Sequence, residues 1–378
     1  MNKSFEEVKN WLISSGLFIS DDEKNRGAVN SFFDEQSNEY SFLYPEITGY
    51  FISSLKFLHS IEDNVQYTKY AKYSSDWLIS IYNKHNSLVQ GIKNNSPTSN
   101  LSYSFDTAIC AKGLLDYYEL SHNEKYLLFA KKMLKDLTTT FLEPDGTVIP
   151  YKDITTNTPD QDNSVWYKQK GCLHVKIAMP FFQINQYLDD SDFFNTGKVI
   201  CDSISKYQNS DGSIRLHEKS KIINLHTLSY ALEGLAFGYY YTKDNQYLTI
   251  IKNALNWCLK QISDDGSIQL WYNSKHHSKA AYPIAQLIRI ISLVNSIEEN
   301  NHYRQKIDEL FTFLMSLQAN HQSSKIHGGF YEEYYKSFFG WKKRYRINSW
   351  TSMFALQAIY WYKKIDSLKF DEQIKFLY

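Results

Sequence analysis

The chain has no net charge, its 41 Lys and Arg matching its 41 Asp and Glu over 378 residues. Nucleic acid recognition needs a broad basic surface, so that partner class is excluded as the main one. Cysteine is scarce. Cys110, Cys172, Cys201 and Cys258 lie far apart in helix-patterned segments and read as reduced, buried thiols rather than a disulfide framework. There are only 7 prolines and 15 glycines, and no Pro-, Gly- or Ser-rich linker divides the chain. One domain over residues 1–378 is therefore expected. No apolar run is long enough to span a bilayer. The stretch from Met1 to Leu17 mixes Glu6, Glu7, Lys9 and Asn10 with apolar residues, so it reads as an amphipathic helix and not a signal peptide. A soluble, cytoplasmic protein is expected. Phosphate-binding glycine motifs are missing, His276-His277 adjacency does not give metal-ligand spacing, and Cys172-x-His174 has no convincing partners. No metal or cofactor is expected.

What the chain has in quantity is aromatic residues, 16% of the total, with 30 Tyr and 8 Trp. Such rings pair a flat apolar face with a polar handle and suit sugar rings as well as helix packing. The chain is also repetitive. Six short clusters each open an apolar, helix-patterned stretch: Tyr44-Pro45-Glu46, Ser104-Phe105-Asp106, Cys172-Leu173-His174, Leu225-His226-Thr227, Ala281-Tyr282-Pro283 and Asn348-Ser349-Trp350. They recur every ~50 to 70 residues, the length of a helical hairpin with its loops. The stretches they open are apolar nearly all round, as for helices covered on both sides. Gly49, Gly113 and Gly234 within them cost helix propensity, which implies close packing.

Between these inner stretches lie segments with a single apolar stripe, such as Tyr67, Tyr70, Ala71, Ser74, Trp77, Leu78 and Ile81. Six inner helices and five outer ones leave one outer position vacant. The N-terminal helix, Phe5 to Ile13, fills it if the hairpins close in a ring. This arithmetic predicts an all-α fold, an (α/α)6 toroid, rather than an open solenoid. Asp145-Gly146, Asp211-Gly212 and Asp265-Gly266 follow outer helices, with Gly328-Gly329 in the matching place later. These are turn signals, and β-prone pieces after them predict short hairpins on one rim.

Ring closure would gather the openers on one rim. Glu46 and Asp106 open consecutive inner helices, where carboxylates either satisfy helix N-termini or supply an acid and a base for glycosidic cleavage. His174 and His226 open the next two as core residues or proton carriers. Tyr44, Tyr282 and Trp350 are candidate sugar-stacking platforms, with Asn348 as a hydrogen-bonding neighbour. Lys170 and Lys176 flank His174 and suit a sugar carboxylate or phosphate. Tyr331 and Glu332, beside Glu333, follow the Gly328-Gly329 turn toward the expected cavity mouth. Arg344 and Arg346 belong to the one basic cluster, a solvated face or a clamp for an anionic sugar.

The pattern of Asp-Gly turns and polar openers resembles the six-hairpin toroids of carbohydrate-active enzymes. More narrowly, Tyr44-Pro45-Glu46-Ile47-Thr48-Gly49-Tyr50, Tyr230-Ala231-Leu232-Glu233-Gly234 and the segment from Asn348 to Ala358 look like toroids encoded in bacterial surface-polysaccharide clusters. Tyr331-Glu332-Glu333-Tyr334 is similar to a segment of glucuronyl epimerases. The resemblance implies a glycan or sugar conjugate as substrate, neutral or anionic. Paired-carboxylate hydrolysis leads the mechanisms. Epimerisation or elimination at a uronic-type sugar, with His174, His226 or Tyr331 as base, is the alternative, and a non-catalytic binding toroid a third.

Overall fold

The structure, a computed structural model, describes residues 3–188 and 190–378; Met1, Asn2 and Asp189, part of the expected domain 1–378, lie outside the described residues. In chain order its helices are α1 (Lys3–Ser14), α2 (Pro45–Ile61), α3 (Val65–His85), α4 (Ser104–Ser121), α5 (Glu124–Thr140), α6 (Ala178–Ile184) and α7 (Ser191–Asp202). They continue as α8 (Leu225–Thr242), α9 (Asn245–Leu259), α10 (Ala281–Asn295), α11 (Asn301–Ser316), α12 (Ser349–Lys363) and α13 (Phe370–Gln373). Strands are short and confined to connections. The chain is organised as two compact units.

One unit comprises Phe18–Ser31, Ser41–Ser205 and Tyr378. Helices α2 and α4 are its core, buried over almost their whole length. They pack closely because each contributes a glycine. A Cβ on Gly49 would stand 2.8 Å from the Ile109 carbonyl, and one on Gly113 2.8 Å from the Gly49 carbonyl. The helix cost of these glycines is thus offset by backbone-to-backbone contact. The outer helices α3, α5 and α7 carry one buried stripe each. Asn64, Asn123 and Asp190 start them, each side-chain oxygen accepting a first-turn N–H. The third opener departs from a plain helix. Cys172–Ile177 is a 3-10 turn, and α6 begins only at Ala178, two residues before Pro180. Proline lacks the N–H that an α-helix continuing from upstream needs, and it is tolerated in a first turn.

The other unit comprises Met1–Leu17, Phe32–Tyr40 and Lys206–Leu377. Here α8, α10 and α12 are the buried helices, and α9 and α11 the amphipathic ones. Helix α1 packs on α12 and buries Phe5, Val8, Trp11 and Leu12. The turn glycines show why α1 belongs there. Gly212, Gly266 and Gly328 all have positive φ and lie against backbone carbonyls of the next outer helix: Asn253 of α9, Glu309 of α11 and Glu7 of α1. A side chain at any of them would be strained twice, by conformation and by space.

Four openers are entered directly from a short strand. Leu101–Tyr103 pairs with Tyr151–Asp153 ahead of α4, and Ile223–Asn224 with Trp271–Tyr272 ahead of α8. Ser278–Ala280 pairs with the strand Glu333–Ser337 ahead of α10, and Arg346–Asn348 with Phe32–Asp34 ahead of α12. Each pairing pins the backbone at the point where the opener side chain leaves it. No helix of the described residues is long and apolar enough to cross a membrane.

Candidate active site

In the first unit, α2 and α4 bring Glu46 and Asp106 together. Tyr44 and Tyr103, which precede these helices, make no side-chain cap. Tyr44 does something else: its phenol hydrogen-bonds both the Glu46 and the Asp106 carboxyl groups. The pair is buried, though each residue retains a little accessible surface. Burial raises the Glu46 carboxyl pKa, against the Tyr44 bond and the nearby Lys176 ammonium, which favour the charged form. Burial and then the charge of Glu46 hold Asp106 well above the usual carboxylate range. Its own backbone N–H also bonds the Asp106 carboxyl, while Oδ2 is buried without a hydrogen-bond partner.

The Tyr44 hydroxyl favours the charged form of each carboxyl, so it opposes the burial that pushes both toward the neutral form. Asp106 is the better proton holder, because Lys176 supports negative charge on Glu46. Lys176 is fully buried and lies 4.8 Å from the centre of the Tyr50 ring. Cys110 sits one helical turn beyond Asp106, its Sγ 3.2 Å from the Pro45 carbonyl oxygen. Burial and the two carboxylates push its thiol pKa up, so it stays neutral.

His174 and Lys170 belong to the same unit but have local engagements. The Gly171 N–H donates to His174 Nδ1 over 3.2 Å, closing the start of the 3-10 turn. Lys170 pairs with Glu143 at 3.3 Å.

In the second unit, His226 opens α8 against Tyr230 and Tyr282, with ring centroids 4.1 and 4.6 Å away. Its Nδ1 lies 2.6 Å from Gln286 Oε1. The tautomer follows from the groups behind it. Glu233, ion-paired with Arg289 in full burial, can only accept, so Gln286 turns its NH2 toward it at 3.3 Å. The Gln286 oxygen therefore faces His226, and Nδ1 must carry the proton, which leaves the basic lone pair on Nε2. Arg289 completes the chain with 3.0 Å to Gln357, whose own amide reaches the Phe376 carbonyl at 2.8 Å.

Tyr282 and Trp350 stand 6.2 Å apart. Asn348 caps α12, its Oδ1 accepting from Thr351 N–H at 3.1 Å. Tyr282 and Glu332 are part-buried. Burial, with the Glu333 charge, pushes the Glu332 carboxyl up to about 7 despite Arg344 and Arg346. Arg344 pairs with Glu333 at 2.8 Å and Arg346 with Asp34 at 3.3 Å, so each arginine is held by a carboxylate of the protein. Tyr331 donates to Glu35 at 2.8 Å.

The paired carboxyls, Tyr44, His226, Tyr282 and Trp350 were all expected site residues. Gln286, Glu233, Arg289 and Cys110 were not. Three of the residues in the buried network had a readable signal: Glu233, Arg289 and Gln357 each lie seven positions after His226, Tyr282 and Trp350. That is two helical turns down the same face.

No protein-family model matches the chain, and no curated protein matches it. Its backbone is similar to cellobiose 2-epimerase from Bacillus thermoamylovorans B4167, with TM-score 0.76, 12% identity, and 95% of this chain and 100% of that chain covered. An unsaturated glucuronyl hydrolase specific for heparin aligns with TM-score 0.69, 11% identity, and 97% and 98% coverage. An alpha-1,6-mannanase of Salegentibacter sp. HEL1_6 aligns with TM-score 0.63, 9% identity, and 96% and 100% coverage. These likenesses give the fold: the chain is an (α/α)6 toroid of the architecture found in these carbohydrate-active enzymes.

Proposed function

We propose that the chain is a carbohydrate-active enzyme that cleaves a glycosidic bond, with Asp106 as general acid and Glu46 as base or nucleophile. Its substrate is a glycan or sugar conjugate of bacterial surface-polysaccharide metabolism. The observation that carries this reading is the single Tyr44 hydroxyl shared by two buried carboxyl groups. Glycosidic cleavage needs a proton for the leaving oxygen and, on the other side of the anomeric carbon, a carboxylate. A pair that holds one proton between its members provides both at neutral pH. Asp106 would donate from the partnerless Oδ2, and Lys176 would keep Glu46 anionic for attack or for activation of water. Saccharide-processing proteins among the structural neighbours support the substrate class.

Turnover of an oligosaccharide panel by wild type, Glu46→Gln and Asp106→Asn tests this. Loss of cleavage in both variants is expected; full activity in both would remove the carboxylate pair from the mechanism.

A second reading, sugar epimerisation by proton abstraction, is favoured by one observation. The Gln286–Glu233–Arg289 chain fixes the His226 tautomer with Nε2 as the basic atom. It predicts solvent exchange of a carbon-bound proton without bond cleavage, lost in His226→Asn.

A further inference from the structure

Residues 334–346 break the local rules of the loop they build. The thirteen positions hold six aromatic and five basic residues, with Ser337 and Gly340 completing them and no acidic residue. They form a hairpin in which strand Glu333–Ser337 pairs with Gly340–Lys343, leaving Phe338 and Phe339 as its two-residue apex. Such apices favour Gly, Asn or Asp. Here the turn is satisfied without its apex side chains, because Gly340 supplies the positive φ and the Ser337 hydroxyl donates to the Gly340 carbonyl at 2.8 Å. Phe338 is 96% exposed and Phe339 85%. Their rings meet edge to face at 5.3 Å as one apolar knob. Neither the turn nor the core requires them.

We propose that this hairpin docks the protein on an anionic phospholipid surface, with Phe338 and Phe339 entering the boundary between headgroups and acyl chains. Charge complementarity selects this occupant. Lys336 and Lys342 are exposed beside the apex, and exposed Trp341 and Tyr345 lie further back. An apolar tip, aromatic rings at headgroup depth and flanking cations follow the order of a bilayer interface. Behind the tip, Lys342, Lys343, Arg344 and Arg346 line a surface cavity of about 570 Å³ that also contains Asp34, already paired with Arg346. A lipid phosphate suits that cavity. A soluble glycan chain would be stacked on flat, accessible faces with polar handles, whereas this tip is a convex knob of two phenyl rings. Membrane docking is independent of the reaction at Glu46 and Asp106.

Co-sedimentation of the full chain with vesicles tests it, using phosphatidylcholine alone and phosphatidylcholine with a one-third share of phosphatidylserine. Binding to the anionic vesicles and its loss at high salt are expected. Phe338→Ser/Phe339→Ser should weaken it at least about tenfold, since each ring loses most of its apolar burial. Lys336→Ser/Lys342→Ser should weaken it roughly twenty-five-fold, at about fivefold per surface cation. All substituted positions are exposed, and circular dichroism verifies folding. Three results would overturn the proposal: no binding to anionic vesicles, unchanged binding by the phenylalanine variant, or Phe338/Phe339-dependent self-association or acidic-polysaccharide binding in place of vesicle binding.

Discussion

Glu46 and Asp106, sixty positions apart, are buried together, and the one hydroxyl of Tyr44 bonds to both. Burial raises both carboxyl pKa values, and the charge of Glu46 lifts Asp106 further. Replacing either carboxyl by an amide should lower kcat by about a thousandfold or more, since acid and base are both needed in the transition state. The thermal midpoint should hold in Asp106→Asn, where a neutral amide replaces a protonated carboxyl, and fall in Glu46→Gln, which removes the anion beside the buried Lys176 ammonium. Steady-state kinetics with differential scanning calorimetry checks both halves.

Tyr44→Phe removes the bridge but keeps the ring. Activity should fall about tenfold to a hundredfold, and the pH optimum should move, because the hydroxyl favours the charged form of both carboxyls. Without it both pKa values rise further, so the basic-carboxylate limb of the pH–rate profile shifts to higher pH. An unchanged profile would separate Tyr44 from the proton balance.

The ion pair of Glu233 and Arg289 has no accessible surface on either side chain. Glu233→Ala strands a guanidinium in the core and should cost about 3–5 kcal/mol in denaturant unfolding. Gln286→Ala leaves the ion pair in place and removes the oxygen that sets the His226 tautomer. If His226 takes part in turnover, kcat falls in this variant while KM holds.

Glu332 links stability to pH. Its folded pKa of about 7 lies above its ordinary value of 4.5, so the folded state binds the proton more tightly. The stabilisation is complete below the ordinary value and is lost as pH rises through 7. Urea unfolding across that window should show stability falling with pH, and Glu332→Gln should flatten the Glu332 contribution. A slope unchanged in the variant would assign the effect elsewhere.

Gly113→Ala should destabilise by about 1–3 kcal/mol, because its methyl would press on the backbone carbonyl of Gly49, which cannot turn aside.

The fold was legible because its determinants are local and repeated. Gly closes the turns after the outer helices, and apolar patterning separates helices covered on both sides from those with a single buried stripe. Candidate site positions were legible where a residue opens a helix, as at Glu46, Asp106 and His226. What escaped were relationships across helices. Nothing near Tyr44 in sequence indicates that its hydroxyl reaches Asp106. Lys176 was one of two lysines beside His174, and only packing distinguishes it, buried toward Glu46, from Lys170, which pairs with Glu143. His174 had the right position in the repeat, but Pro180 shortened the helix behind it and its Nδ1 serves the turn. Arg344 and Arg346 formed a visible basic cluster, while their partners Glu333 and Asp34 come from a paired strand and from a strand three hundred residues away in sequence.

The most direct test follows the fate of solvent atoms. Wild type is incubated with an oligosaccharide panel in deuterated, heavy-oxygen water, and the saccharides are analysed by mass spectrometry. Paired-carboxylate hydrolysis predicts shorter sugars carrying heavy oxygen at the newly released anomeric carbon, and no such products from Asp106→Asn. Intact saccharides that gain carbon-bound deuterium without heavy oxygen would contradict it.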